Sequence, residues 1–205
     1  MNPQAAREEV LAFMHALEEE PHHVQHVAAL AVHLFDELMD LHGLSNNDRL
    51  MLEAAACLHD IGWSVSSDGK GHHRESARLI REHGWQQFSP ENVGIVAQVA
   101  RYHRKSLPDL EHEDFAALAP TERLRVQQLA AFLRIADGLD RSHQQHVTHL
   151  SAEISPGRIV IHLSSTSPAS REIAAATKKA DLARAVFQRE VVFSPHPGMH
   201  NRSGS

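Results

Sequence analysis

Apolar side chains recur at a helical period over most of the first 145 residues, which predicts a helical domain. The clearest example is the segment 22–41, where Gly43 predicts the end of the helix. Polar stretches at 63–71 and 104–114 are expected to be loops. Further helices are expected at 3–19, from Ser45 or Asn47 to Gly62, and at about 73–83, 90–103 and 121–143.

The periodicity changes near residue 146, where apolar and polar positions begin to alternate. Two alternating runs flank the turn 155–157 and predict a β-hairpin. A helical period returns over 169–190, and 191–193 can add a third short strand. The pattern therefore predicts a mainly α fold with a small C-terminal β-β-α(-β) appendage. We expect a helical domain at 1–145, a hairpin-plus-helix module packed on it at 146–193, and a flexible tail at 194–205.

The composition excludes a wholly disordered chain and a membrane protein, since 42% of the 205 residues are hydrophobic and 22% are charged. No apolar run approaches the roughly 18 residues that a membrane-spanning helix needs. The first 13 residues lack the apolar core of a secretory signal. The single cysteine, Cys57, is expected to be a small core residue in a reducing compartment. We therefore expect a cytoplasmic protein with no membrane partner.

The net charge of −6 is distributed unevenly along the chain. Residues 1–60 carry two basic and eleven acidic side chains, whereas 61–205 carry 18 basic and 15 acidic ones. The second part of the chain therefore need not repel a phosphate. No run of basic residues forms a nucleic-acid patch, so we expect no DNA or RNA partner.

Histidine is frequent, with 18 residues, and His59 is followed by Asp60 at a predicted helix end. Both side chains are good ligands for first-row divalent metals, yet the dipeptide alone favours a core histidine beside a solvated carboxylate. Asp137 lies in an otherwise apolar helical segment, where an unpaired carboxylate would be costly to bury. Gly138, a poor helix former, suggests that something approaches this segment closely. Three further histidines lie at helix ends or on an apolar helix face: His26, His72 and His103.

This order of histidines and aspartates resembles the HD superfamily of metal-dependent phosphohydrolases. Longer stretches resemble one family more closely, the Ppx/GppA family of exopolyphosphatases and guanosine pentaphosphate phosphatases, in its C-terminal helical domain. The resemblance covers roughly residues 20–193 and implies an HD-type helical bundle. The matching stretches are HVAALAVHLFDEL (26–38), LEAAACLHDIGW (52–63), GHHRESARLI (71–80), VARYHRKSLP (99–108) and LAAFLRIADGLDRSH (129–143).

Ppx/GppA enzymes also carry two actin-like domains, whose phosphate loops perform the exophosphatase chemistry of the family. Residues 1–20 are the only sequence before the match, so we do not expect that polyphosphatase activity here. The HD ligand set looks complete, although helical domains of the family often lack it. The resemblance therefore points to chemistry within this domain itself.

The resemblance implies two divalent metal ions, with Mn, Fe, Co, Ni, Mg and Zn all compatible with imidazole and carboxylate ligands. It makes His59 and Asp60 the catalytic pair. His73 remains an alternative to His72, although the Ser76-Ala77 pair favours His72. By the resemblance, the first ion would be held by His26, His59, Asp60 and Asp137, and the second by His72 and His103 with a bridging Asp60.

Three basic residues are candidates to hold a substrate phosphate: Arg104, Lys105 and Arg141. A solvated charged face is an equally good interpretation for each of them, and a better one for Lys178 and Lys179 on the appended helix. Trp63 is expected to pack beneath a loop or to line the mouth of the site. Ordinary surface positions are expected for His22, His23, His33, His143, His146 and His149, with a role at the site rim open for His143.

Two functions follow from this interpretation. The first is a metal-dependent phosphohydrolase, dinuclear, which hydrolyses a phosphoester or a nucleotide- or polyphosphate-like substrate by metal-activated hydroxide. The second is a non-catalytic module that senses polyphosphate or a guanosine polyphosphate. The complete ligand set favours the enzyme and argues against a purely structural scaffold. The expected partner is a phosphate-containing small molecule, and a homodimer is left open.

Overall fold

The computed structural model of the protein describes residues 2–66 and 70–195 and confirms a mainly helical fold with a small C-terminal sheet. The helices are α1 (Pro3–Leu17), α2 (Pro21–Glu37), α3 (Met39–His42), α4 (Asn46–Leu58), α5 (His72–Glu82), α6 (Pro90–Arg101), α7 (Glu113–Ala116), α8 (Pro120–Leu139), α9 (Ser170–Lys179) and α10 (Asp181–Phe187). A short 3₁₀ helix, Ile61–Val65, follows α4. The strands are β1 (Val147–Ser155), β2 (Arg158–Ser165) and β3 (Glu190–Pro195).

Local hydrogen bonds explain where α4 begins and what holds it. The Ser45 hydroxyl accepts a bond from the Asp48 amide, and the Asp48 carboxylate accepts one from the Ser45 amide at 2.9 Å, which is a capping box. The second carboxylate oxygen of Asp48 accepts a bond from Arg125 at 2.7 Å, so this buried residue also ties α4 to α8. Just before the cap, Gly43 has a φ of +63°, a conformation that glycine adopts without strain and that ends α3.

Several predicted helices are shorter or broken. The predicted helix 22–41 divides at Leu38, whose amide bonds back to the carbonyl oxygens of the preceding turn. The predicted helix 169–190 likewise divides at Ala180 into α9 and α10. The predicted helix 121–143 ends at Leu139, because Asp140 leaves the helical conformation. The Asp140 carboxylate accepts a hydrogen bond from the backbone amide of Gln145.

The predicted loop and tail also change in part. The chain tightens into the 3₁₀ helix after α4, so the beginning of the predicted loop 63–71 is helical, and 67–69 lie outside the described residues. Residues 194 and 195 belong to β3 rather than to a tail. The rest of the predicted tail, 196–205, lies outside the described residues.

Helices α2, α4, α6 and α8 form the centre of the fold, with α2 packed against both α4 and α8. One cluster of buried apolar side chains continues from these helices into the C-terminal module. Strand β1 packs on α2, and α9 and α10 pack on α8. The module therefore contributes to the same core as the helices and lies beside the end of α8. Among the described residues, no helix combines the length and the apolar character needed to cross a membrane.

The sheet has the order β1-β2-β3. Strands β1 and β2 form the predicted antiparallel hairpin, in which Leu150 lies opposite Leu163. Strand β3 is parallel to β2, with Phe193 opposite Ile161, so α9 and α10 form the crossover between them. A parallel pair requires such a crossover, and this one carries α9 to the end of α8.

Candidate metal centre

The ends of five helices meet around one cleft with a volume of about 1000 Å³. Helices α1, α4, α6, α8 and α9 all end at it, whereas α2, α5 and α10 begin there. Residues at helix ends have backbone conformations that can turn neighbouring side chains toward one point. The cleft is thereby lined by charged side chains and imidazoles drawn from distant parts of the chain.

Six histidines and aspartates place ligand-type atoms together at the bottom of this cleft. They form three overlapping groups, and within each group the candidate ligand atoms lie within 4.8 Å of one another. The groups share members, so they form one continuous cluster, which we call the HD cluster. Its groups are His23, His59 and Asp60; His59, His103 and Asp137; and Asp60, His72 and His103.

Asp60 is the central member of the HD cluster. Its Oδ1 lies 3.2 Å from His72 Nε2 and 3.5 Å from His103 Nε2, while its Oδ2 lies 3.6 Å from His59 Nε2. Burial would raise the pKa of Asp60, yet the surrounding imidazoles and a hydrogen bond from His72 hold that pKa well below its usual range. Asp60 is therefore a carboxylate with imidazole nitrogens on both sides.

Three imidazoles of the HD cluster are oriented by a bond from Nδ1. His59 donates to the carbonyl oxygen of Ala56 at 2.7 Å, and His103 donates to that of Ala100 at 2.7 Å. Each acceptor lies three residues back, on the same helical turn. With the proton on Nδ1, the Nε2 of each ring carries the lone pair that a metal binds.

His23 is oriented in the same way by a carboxylate. Its Nδ1 donates to Asp140 Oδ2 at 2.8 Å, and Asp140 is fully buried. Within the described residues, His23 Nε2 and His59 Nε2 are buried without a hydrogen-bond partner. Buried polar atoms without a partner are costly, and both of these belong to the HD cluster. This donor set fits a divalent metal.

Gly62 fixes the position of His72. A Cβ on Gly62 would lie 2.1 Å from the carbonyl oxygen of His72 and 2.5 Å from the amide of Ser76, so only glycine lets α5 approach this closely. Ser76 completes the contact, since its hydroxyl accepts the Gly62 amide at 2.9 Å and donates to the His59 carbonyl oxygen at 2.7 Å. The first turn of α5 is thus locked against the end of α4.

Gly138 plays the corresponding role for α9. A Cβ there would lie 2.7 Å from the Cα of Ala176, so the backbones of α8 and α9 touch. Lys179 follows Ala176 by one turn and forms an ion pair with Asp137. Burial would raise the pKa of Asp137, but Lys179, together with His59 and other neighbours, lowers it to about 2. The sequence suggested a close approach at Gly138, and the structure identifies α9 as the approaching element.

His26, an expected ligand, lies outside the HD cluster, whereas His23 lies inside it. His26 is half-buried one turn further along α2. Burial lowers its pKa, although the negative charge of Asp140 acts in the opposite direction. His23 precedes Val27 by four residues and Leu30 by seven, so it begins the apolar stripe of α2. That spacing was the signal in the sequence, and it places His23 on the buried face of the helix.

The other expected ligands are brought together. His59, Asp60, His72, His103 and Asp137 are all members of the HD cluster. His73 is buried beside His72 but is not a member, and burial with the charges around it lowers its pKa to about 4. The structure thus places His72, rather than His73, against Asp60.

All three expected phosphate-binding residues line the cleft: Arg104, Lys105 and Arg141. Arg104 Nη1 lies 3.2 Å from His72 Nε2, which brings its guanidinium to the edge of the HD cluster. Lys178 and Lys179 from α9 line the cleft as well, although a solvated face was the favoured interpretation for them. His143 lies on the rim, where its ring stacks on His23 with 3.7 Å between centroids.

Asp140 and Glu18 have site roles that the sequence did not reveal. The role of Asp140 could not be predicted, because it lies far from His23 in the sequence and no sequence pattern links the two residues. Glu18 follows the last turn of α1 and lines the cleft, and its Oε2 is buried with no hydrogen-bond partner in the described part of the chain. Burial raises the pKa of Glu18. Cys57 is a core residue, as expected, and burial raises the pKa of its thiol to about 12.

Comparison with known protein families identifies a match over most of the chain. The family model of Ppx/GppA phosphatase, domain III, matches residues 7–182. The matched range includes every member of the HD cluster and α9. No curated protein matches the chain.

Proposed function

We propose that this chain, which belongs to the Ppx/GppA phosphatase family through its domain III, is a metal-dependent phosphohydrolase with a dinuclear HD-type centre. The observation that carries the proposal is the HD cluster. Four imidazoles and two carboxylates converge at the bottom of a large cleft, and two of the imidazoles turn buried Nε2 atoms without a hydrogen-bond partner among the described residues toward it. Such a set is costly without a cation to bind.

We assign the cluster two sets of ligands that share Asp60. A first ion would be held by His23, His59, Asp60 and Asp137, and a second by Asp60, His72 and His103. The short distances from Asp60 Oδ1 to His72 and His103 favour the second set. When bound, the two ions supply Lewis acidity toward a phosphoryl oxygen and lower the pKa of a water.

The side chains of the chain would perform the remaining tasks of phosphoryl transfer, which are mostly positioning and neutralisation of charge. Arg104 and Lys105 would hold phosphate oxygens on the side of His72, and Arg141 and Lys178 line other parts of the same cleft. Lys179 neutralises Asp137 through its ion pair. Asp140 keeps His23 in the orientation that presents Nε2 to the cluster.

The test is a phosphatase panel on the metal-reconstituted protein with Mn, Co, Ni or Mg. The panel covers p-nitrophenyl esters, cyclic dinucleotides, nucleotides and polyphosphate. We expect turnover of at least one of them, and loss of both turnover and part of the bound metal in His23→Ala. His26→Ala is the matched control on the same helix and should retain both. Absence of turnover with every metal would refute the proposed enzymatic activity and would favour a non-catalytic, phosphate-binding module.

A further inference from the structure

Trp63 is a large aromatic side chain at the mouth of the cleft and is 45% exposed. Its indole stacks on the ring of His72, with 4.3 Å between centroids and 21° between planes. Since His72 covers one face of the indole, the exposed area belongs to the edges and to the opposite face. An aromatic surface thus lies beside the HD cluster and remains open to solvent.

The other tryptophan shows what a purely structural indole looks like in this protein. Trp85 packs against Phe13, Phe88 and His83, and its Nε1 donates to the carbonyl oxygen of Ile80 at 2.6 Å. It does not line the cleft. The exposure of Trp63 is therefore particular to its position and is not shared by Trp85.

The dimensions and charges of the cleft define what can lie against Trp63. A volume of about 1000 Å³ is at the upper end of the range for small-molecule sites, far more than one phosphate group fills. Arg104 lies against His72 Nε2, so a guanidinium and an indole flank the same candidate ligand. A cation for phosphate oxygens and an open ring face for a planar group are thus adjacent.

We propose that the substrate is a nucleotide whose base stacks on the open face of Trp63. Its phosphate would lie at the HD cluster, with Arg104 and Lys105 holding further phosphate oxygens between the cluster and the base. This inference rests on the proposed function for the place of the phosphate. Every base presents a π-face, so stacking alone admits all bases. Inorganic polyphosphate has no ring and therefore could not stack on Trp63.

The experiment compares two probes that differ only in the nucleoside: α,β-methylene-ADP and methylenediphosphonate. Their dissociation constants are measured by calorimetry on the Mn-loaded protein and on Trp63→Leu, Trp63→Phe and Trp85→Phe. We expect Trp63→Leu to weaken the nucleotide about 5- to 150-fold, the range for loss of one base–aromatic stack, and to leave methylenediphosphonate unchanged. Trp63→Phe should retain most of the affinity, and Trp85→Phe all of it.

Tryptophan fluorescence provides an independent signature. The nucleotide should quench emission in the wild type and in Trp85→Phe but not in Trp63→Phe. Equal weakening of both probes by Trp63→Leu, or no weakening of either, would overturn the inference. Trp63-dependent nucleotide binding without phosphate release from any substrate would overturn the enzyme alone, so the two failures are distinguishable.

Discussion

Replacing Gly138 with alanine should separate α9 from α8 and withdraw Lys179 from Asp137. The added Cβ would lie 2.7 Å from the Cα of Ala176 and 2.8 Å from its amide nitrogen. Carbon atoms pack best at roughly 3.5–4.0 Å, so α9 must move by about 1 Å. Both clashing atoms are backbone, and no side-chain rotation can relieve the contact.

Two effects oppose each other in this variant. Alanine favours a helix over glycine by about 1 kcal/mol, whereas overpacking of a buried contact costs about 1–3 kcal/mol. Because the contact is backbone against backbone, we expect the clash to win and the free energy of unfolding to fall by about 1–2 kcal/mol. For a chain of this size that corresponds to a melting temperature lower by roughly 2–8 °C.

The matched control is Gly94→Ala. Gly94 lies inside α6, and a Cβ there would meet only the Leu118 side chain at 3.8 Å, an ordinary contact. That variant should gain up to about 1 kcal/mol from helix propensity. Thermal and urea unfolding followed by circular dichroism measures both variants. If Gly138→Ala is as stable as Gly94→Ala, the α8–α9 contact is not as tight as we describe, and the reasoning fails.

Three further predictions concern charge, metal and pH. Lys105→Ala and Arg141→Ala should each raise the dissociation constant of a phosphate-bearing ligand about tenfold or more while metal content stays unchanged; unaltered binding in both would remove them from the site. Elemental analysis should find two Mn per chain in the wild type, one in His72→Ala and none in Asp60→Ala, whereas a wild type that never exceeds one would exclude the dinuclear centre. Burial opposes ionisation of Asp48, but its hydrogen bonds and its arginine partner lower its pKa. The Asp48 carboxylate therefore stabilises the folded state at a pH above its unfolded pKa of about 4. This contribution to the free energy of unfolding disappears as the pH falls through the lower folded pKa. Asp48→Asn should flatten that part of the stability–pH curve in urea titrations, and an unchanged curve would contradict the assignment.

The helices could be predicted from the sequence wherever apolar periodicity and a local cap agree. Ser45, one of two expected caps, and Gly43 are local signals, and the structure confirms a helix boundary at each of them. The breaks at Leu38 and Ala180 have no such signal, because neither residue disfavours a helix. They are set by how the helices on either side pack on the core.

The site could be predicted in its chemistry more than in its geometry. His59, Asp60 and Asp137 are conspicuous as polar residues at the ends of apolar helices. The resemblance points to His26, whereas the structure brings His23, one turn earlier, into the cluster. His23 is oriented there by Asp140, which is far away in the sequence. Contacts between distant elements, such as those of α9, cannot be read from local periodicity.

The convergence of helix ends at the cleft has an electrostatic consequence that does not depend on any side chain. Aligned peptide dipoles leave about half a negative elementary charge at the C-terminal end of a helix, and five helices end here while three begin. The unpaired carbonyl groups of those last turns therefore give the backbone itself a negative potential at the cleft. Attraction for cations is thus built into the order of the helices, and the cationic residues that follow α6 and those on α9 then make the same place acceptable to an anion.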